Sequence, residues 1–306
     1  MQRTLAIESP PPGTAVGPAH VTNLARRMPP SDSRVHTTAS NSTRWAQRGG
    51  VEVLTWAVFD QLALDAVVTT RTGGVSVPPY DSLNLALHVG DEEEAVLENR
   101  RRAAATLGAG IDDLVVANQV HGARVEVVTE PGPGARSVLD AIADTDALVT
   151  TVPGLVLAVL VADCVPVVLF DPTARVLACA HAGWRGALGG VIEATVGTMT
   201  SLGADPSRLV AGIGPSIGRE RYEVGADVVA AAAGHLGEAG RFVRPGRAEH
   251  WFFDLQGAVH AILARVGIGE ERIATASIDT GAPGPFFSAR SEGRCGRFAL
   301  LARMDP

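Results

Sequence analysis

A thiol, two imidazoles, a carboxylate and a guanidinium border the most apolar part of this sequence. Ala162-Asp163-Cys164 separates two apolar runs, His181-Ala182-Gly183-Trp184-Arg185-Gly186 closes the next, and His121 lies upstream in Asn118-Gln119-Val120-His121-Gly122. If residues 165–171 and 175–181 pair as a hairpin about Asp171-Pro172-Thr173-Ala174, residues equidistant from the turn face each other. Cys164 and His181 then fall near matching ends. With His121 from another loop they form a His-Cys-His ligand set with a fourth position open, the pattern of a catalytic rather than a structural zinc site. Each residue also has a plainer reading. Cys164 suits a small buried hydrophobe, His121 an ordinary loop imidazole, and residues 183–186 a simple turn with a surface arginine. Gly183 and Gly186 around Trp184-Arg185, just before a helix, also suit an anion held by backbone N–H groups and Arg185. Cys179 is assigned to the core.

Elements of mixed type must position these side chains. Residues 52–58, 66–70, 147–150, 156–162, 165–171, 175–181, 208–213, 273–278 and 297–301 read as strands, and residues 188–202, 226–233 and 255–266 as helices. Asp91, three residues before Glu94, resembles a capping box, so a helix is expected to start there and run over 95–107 to Gly108. Residues 114–117 and 124–128 read as a second strand pair joined by the His121 loop. Alternation places Ala158, Leu160, Ala162 and Cys164 on one face, and Leu177, Cys179 and His181 on another. Asp163, next to Cys164, is the nearest carboxyl for proton transfer; as a neighbour on a strand it would face the other way. Hairpins intermingled with crossovers predict a mixed-sheet α/β sandwich with a single main domain over 51–306. Residues 1–50, rich in Pro, Ser, Thr and Arg, are expected to be a disordered tail.

Composition narrows the functions available. The 306 residues are 46% hydrophobic, enough for a sizeable core. A formal charge of −7 argues against a nucleic-acid-binding face. All 26 cationic residues are Arg, which excludes Schiff-base enzymes, pyridoxal-phosphate attachment and the P-loop lysine. Three cysteines make no disulfide framework, so a reducing cytoplasm is expected. No segment reads as a signal peptide or a membrane span: the apolar run over 155–170 is broken by Asp163 and Pro166. A soluble monomer acting on a small molecule is the expectation, with no nucleic-acid or membrane partner.

The ordered motifs between residues 71 and 297 resemble a known family. They are Arg71-Thr72-Gly73-Gly74-Val75-Ser76, Ser82-Leu83-Asn84-Leu85, His88-Val89-Gly90-Asp91, Glu98-Asn99-Arg100, Gln119-Val120-His121-Gly122, Asp144-Thr145-Asp146-Ala147, Ala162-Asp163-Cys164-Val165-Pro166, His181-Ala182-Gly183-Trp184-Arg185-Gly186, Gly214-Pro215-Ser216-Ile217-Gly218, Tyr222-Glu223-Val224 and Phe286-Phe287-Ser288. The chain resembles the bacterial multicopper-polyphenol-oxidase-like proteins, also described as peptidoglycan-editing factors and as purine nucleoside phosphorylases. The resemblance implies a cytotoxic-necrotizing-factor-like α/β sandwich and zinc held by His121, Cys164 and His181. It also implies phosphorolysis of adenosine, inosine and methylthioadenosine, with adenosine deamination as a further activity. Arg71 and Arg185, each beside a glycine-rich turn, are expected to hold phosphate, with Gly74, Ser76, Asn84 and Trp184 completing the substrate site. Asp163 is the expected proton shuttle for deamination. Asp279 and Cys295 depart from the family pattern, which commonly has Cys-Thr and Thr-Gly-Arg there.

Other activities stay open at this level. A laccase needs a mononuclear copper and a three-copper cluster, commonly built from His-x-His pairs; the eight histidines here include no such pair. A copper-associated polyphenol oxidase is therefore a weak alternative, although copper competes intrinsically with zinc at a His-Cys-His site. A second alternative uses Cys164 as a nucleophile and His181 or His121 as base on a muropeptide amide. A third is a metal-stabilised binding module without catalysis.

Overall fold

The computed structural model describes residues 43–237 and 239–306. Two six-stranded sheets stack around a shared apolar core. The first runs β1 (Thr43–Arg48), β2 (Val51–Trp56), β3 (Leu64–Thr69), β15 (Phe298–Met304), β7 (Val156–Val161), β4 (Leu114–Val116). The second runs β14 (Ile273–Thr275), β10 (Val210–Ile213), β8 (Val165–Asp171), β9 (Val176–Ala182), β6 (Ala147–Thr150), β5 (Val125–Val127). Neighbours are antiparallel except β4 with β7, β5 with β6 and β10 with β14. A small third sheet joins β11 (Glu223–Val224), β13 (Trp251–Phe253) and β12 (Val243–Pro245). This is the mixed-sheet α/β sandwich expected from the sequence.

Strand alternation builds the layers. Leu157, Val159 and Val161 of β7 meet Val168 and Phe170 of β8 and Leu177 and Cys179 of β9 between the sheets. The other face of β7 packs under α1 (Glu93–Ala105), where Ala103 and Ala104 join Ala158 and Leu160. The outer face of the second sheet, through Val167, Leu169 and Ala178, carries α3 (Val191–Ser201) and α5 (Leu255–Arg265), with α2 (Trp184–Leu188) and α4 (Ala226–Leu236) beside them. Among the described residues no helix is long and apolar enough to cross a membrane.

The structure differs from the sequence reading at several points. Thr43–Arg48 lies inside the expected tail but pairs along its length with β2. Gly49 and Gly50, both at positive φ, make the two-residue turn that hairpins favour. Residues 1–42 lie outside the described residues. The predicted partners over 114–117 and 124–128 do not pair with each other: β4 joins β7 in one sheet and β5 joins β6 in the other. The His121 loop therefore crosses between sheets. Glycines 189 and 190, the second at φ 92°, start the expected helix over 188–202 later, as α3 from Val191, and end a separate short helix α2 in residues expected as a turn. The helix after Asp91 starts at Glu93, because the Asp91 carboxylate accepts from Ser76 Oγ and Asn84 Nδ2 instead of capping.

The β8–β9 turn sets the register on which the site depends. The Asp171 carboxylate accepts from the backbone N–H groups of Thr173, Ala174 and Asp205 and pairs with Arg208 at 2.9 Å. Burial pushes this carboxyl up, but Arg208 and the backbone donors outweigh it and hold it below the usual carboxylate range. Its stabilisation is therefore complete above the unfolded value of about 3.9 and is lost as pH falls through the lower folded value. Asp171→Ala is expected to cost about 3 kcal/mol at neutral pH and to flatten the acid limb of the stability curve, measured by urea unfolding from pH 7 downward.

Candidate metal centre

The hairpin aligns Val165 with Ala182 and Pro166 with His181, so Cys164, one step beyond the ladder, lies beside the end of β9. Asp163 sits at φ 85°, a left-handed conformation. The alternation already ends with β7 at Val161: Ala162 and Cys164 both pack against the core between the sheets, not with Ala158 and Leu160 as unbroken alternation predicts. His181 has the parity of Leu177 and Cys179 and points into the same core. Cys179 is fully buried there, as assigned, and burial pushes its thiol up.

His121 arrives from the loop that crosses between the sheets, and that loop is fastened at both ends. The Gln119 side chain donates to the Leu160 carbonyl and accepts from the Leu160 N–H, both at 2.8 Å, and so extends the edge of β7 as a strand would. The Asp146 carboxylate accepts from the N–H groups of Val120, His121 and Gly122 at 2.7–3.2 Å. These bonds hold His121 at φ 61°, a conformation costly for a residue with a side chain. The ligand atoms of His121, Cys164 and His181 all lie within 4.8 Å of one another, and the two imidazoles meet edge to face. Gly183 leaves the room: a Cβ there would stand 2.7 Å from His121 Cδ2 and 3.1 Å from Cys164 Sγ.

The donor set fits a divalent metal of borderline softness, one thiolate and two imidazoles. Asp146 Oδ1 accepts from His181 Nδ1 at 2.8 Å, which leaves Nε2 as the ligating nitrogen and fixes the ring. Burial raises the thiol's pKa, but the His181 charge and hydrogen bonds from both imidazoles bring Cys164 down to about 6. Burial lowers His181, and the Cys164 thiolate and Asp146 raise it to about 9. The pair thus favours thiolate and imidazolium, and a metal bound at the site would take the place of the imidazolium proton.

The structure does not bring every expected site residue to this centre. Asp163 is committed elsewhere: its carboxylate accepts from Thr280 Oγ1 at 2.8 Å and from the Arg290 N–H at 2.7 Å, tying the β7–β8 turn to the C-terminal segment. Arg71 pairs with Glu292 at 3.0 Å and stacks on Phe287 at 4.4 Å. Gly74, Ser76 and Asn84 fold their own segment. A Cβ on Gly74 would meet the Ser82 carbonyl at 2.1 Å, and Asn99 Nδ2 donates to Ser76 Oγ and to the Asn84 carbonyl. Arg185 stacks on Trp184 at 4.5 Å beside a separate surface depression, and α2, only five residues long, offers no anion site at its start. Of the two departures, Asp279 caps Gly218 and Gly281 and pairs with Arg221, and Cys295 is buried.

Above the three ligands opens a cavity of about 480 Å³, walled by the ends of β4 and β7 and by His88, Arg100 and Arg297. The sequence reading gave Asp146, Gln119, Arg100 and Arg297 no role. Each stands in or beside a motif carrying the resemblance, but residue type alone did not show which of those motifs meet.

Comparisons place this architecture among known proteins. The model of a family described as multi-copper polyphenol oxidoreductase laccase matches residues 65–305. A Deinococcus radiodurans protein named purine nucleoside phosphorylase is 46% identical over 211 residues, 68% of this chain and 78% of that protein. One of the same name from Mycobacterium tuberculosis is 41% identical over 242 residues, 78% of this chain and 91% of its own. Among solved structures, the Bacillus licheniformis hypothetical protein YfiH superposes with TM-score 0.81 at 31% identity, covering 85% of this chain and 99% of its own. YlmD from Geobacillus stearothermophilus gives 0.79 at 31% identity, over 86% and 99%.

Proposed function

The chain belongs to the family described as multi-copper polyphenol oxidoreductase laccase, and within it we propose that this protein is a metal-dependent purine nucleoside phosphorylase. The observation that carries the reading is the His121, Cys164 and His181 group at the base of a cavity that also presents two arginines. Among the described residues it is the one group of three or more metal-binding side chains close enough to share an ion. A laccase's separate copper sites would need several such groups, whereas phosphorolysis needs an anion site for phosphate and a proton for the departing purine, to which a single metal can add charge. Adenosine, inosine and methylthioadenosine fall within the proposed substrate class.

In phosphorolysis a phosphate oxygen forms a bond to the sugar C1′ as the C1′–N9 bond breaks, and the purine leaves with the electron pair and takes up a proton. A metal held by His121, Cys164 and His181, zinc or copper by its donors, would supply a Lewis-acidic charge to this reaction. The chain's own residues do the rest. Asp146 fixes the His181 ring and the His121 loop, and the arginines supply positive charge where phosphate would enter. Adenosine deamination would add the need for a carboxyl shuttle; with Asp163 bound to Thr280 and Arg290, the geometry favours phosphorolysis.

The test is release of hypoxanthine from inosine with and without phosphate, alongside metal analysis. The expected result is about one metal ion per chain, phosphate-dependent release, and loss of activity on chelation that added zinc restores. Full activity of metal-free protein overturns the proposal. One observation supports a second reading: Cys164, His181 and Asp146 stand in the order of a thiol, imidazole and carboxylate triad. Alkylation of Cys164 blocked by a muropeptide, with activity indifferent to chelators, would select it.

A further inference from the structure

The cavity's arginines are not those expected to bind phosphate, and their surroundings are built to hold them. Asn84 and Leu85 position both. The Arg297 N–H donates to Asn84 Oδ1 at 2.9 Å and its carbonyl accepts from the Leu85 N–H at 3.0 Å. Arg100 Nε donates to the Leu85 carbonyl at 2.8 Å, while its NH1 donates to the carbonyls of Gly134 and Ala135. Arg100 is 3% exposed. Among the described residues, neither arginine has a carboxylate within ion-pair distance; Arg71, by contrast, is paired with Glu292. The nearest carboxylate influence on Arg100 is the charge of Asp140.

Arg100 is a buried cation without an ion-pair partner, a costly arrangement that an incoming anion relieves, while Arg297 is half-buried with its NH1 donating to the carbonyls of Cys295 and Gly296. Three polar groups converge on the same cavity wall: Arg100, Arg297 and His88, the last only a few residues beyond Leu85. Partial burial, then Arg297 and Arg100, lower the His88 pKa, so its imidazole is neutral at pH 7 and offers one donor. Guanidinium forks with a neutral imidazole match a tetrahedral oxyanion.

We infer that Arg297, Arg100 and His88 form the binding site for inorganic phosphate, in the cavity they share with His121, Cys164 and His181. This rests on the phosphorylase reading for the anion's identity and relocates its site from Arg71 and Arg185. A nucleotide's 5′-phosphate has the same chemistry, so the test separates the two sources.

Arg297→Gln is compared with wild type by calorimetric titration of inorganic phosphate into metal-loaded protein, by titration of adenosine 5′-monophosphate, and by steady-state kinetics with inosine. The expected result is a phosphate Kd and KM raised about 10- to 100-fold, with the inosine KM and metal content unchanged. Arg297→Lys recovers part of the affinity, which separates a charge role from a structural one. Unchanged phosphate Kd and KM in Arg297→Gln overturn the site even if wild type is a phosphorylase. Arg297-dependent phosphate binding without phosphorolysis in wild type supports the site and sinks the function. Loss of nucleotide binding alone, with phosphate binding intact, overturns the assignment to inorganic phosphate.

Discussion

If the proposed function holds, Cys164→Ala is expected to give a folded, metal-free protein whose phosphate-dependent base release falls about a thousandfold or more, corresponding to several kcal/mol of lost electrophilic stabilisation. The fold survives because Cys164 lies just outside the β8–β9 ladder and only partly fills the core between the sheets. The metal is lost because two imidazoles alone make a weak site and the thiolate is its one anionic donor. Metal content by mass spectrometry and turnover of inosine are the two readouts. A variant that binds metal as wild type does, or turns over within tenfold of it, refutes the ligand assignment.

Asp146→Asn is the second large effect, acting through other residues. The carboxylate faces four donors, three backbone N–H groups and His181 Nδ1. An amide in either orientation turns its NH₂ toward two of them, so buried donors lose their acceptor. We expect metal affinity to fall about 10- to 100-fold and stability by about 3–5 kcal/mol, read by chelator competition and urea unfolding. Burial pushes the Asp146 carboxyl up, but His181 and the Gly122 and Val120 N–H groups hold it below its ordinary value. Its contribution is thus complete at neutral pH and lost as pH falls through that lowered value. Asp146→Asn should lose this acid dependence; wild-type metal affinity in the variant would show that Asp146 does not orient the ligands.

Local chemistry explains what was legible before the fold was known. The Asp171 turn is written in residues that make turns, so the hairpin and the approach of Cys164 to His181 followed from counting outward, but Arg175 joins the turn and shifts the observed register by two residues, with Pro166 rather than Cys164 opposite His181. The Gly49-Gly50 turn was equally legible, yet the polar composition around it masked β1. Other features were not local. Nothing in residues 114–128 says that two short strands belong to different sheets, and that separation carries His121 across the core. β7 ends at Val161, so Ala162 and Cys164 both pack against the core between the sheets, an outcome that alternation carried through residue 164 does not contain.

The sequence by itself determined the α/β class, the apolar strands and the three side chains that could hold a metal, because each depends on residue type and short spacing. Tertiary structure decided which carboxylate serves the ligands and which arginines face the cavity. Asp146 reaches His181 because β6 pairs with β9, and Arg297 joins Arg100 because both bond to the Asn84-Leu85 segment. Asp163 and Arg71, nearer in sequence or more suggestive in motif, are bound to Thr280 and Glu292 instead. Charged groups are positioned by partners more than a dozen residues away, and such pairings exist only once the sheets have closed.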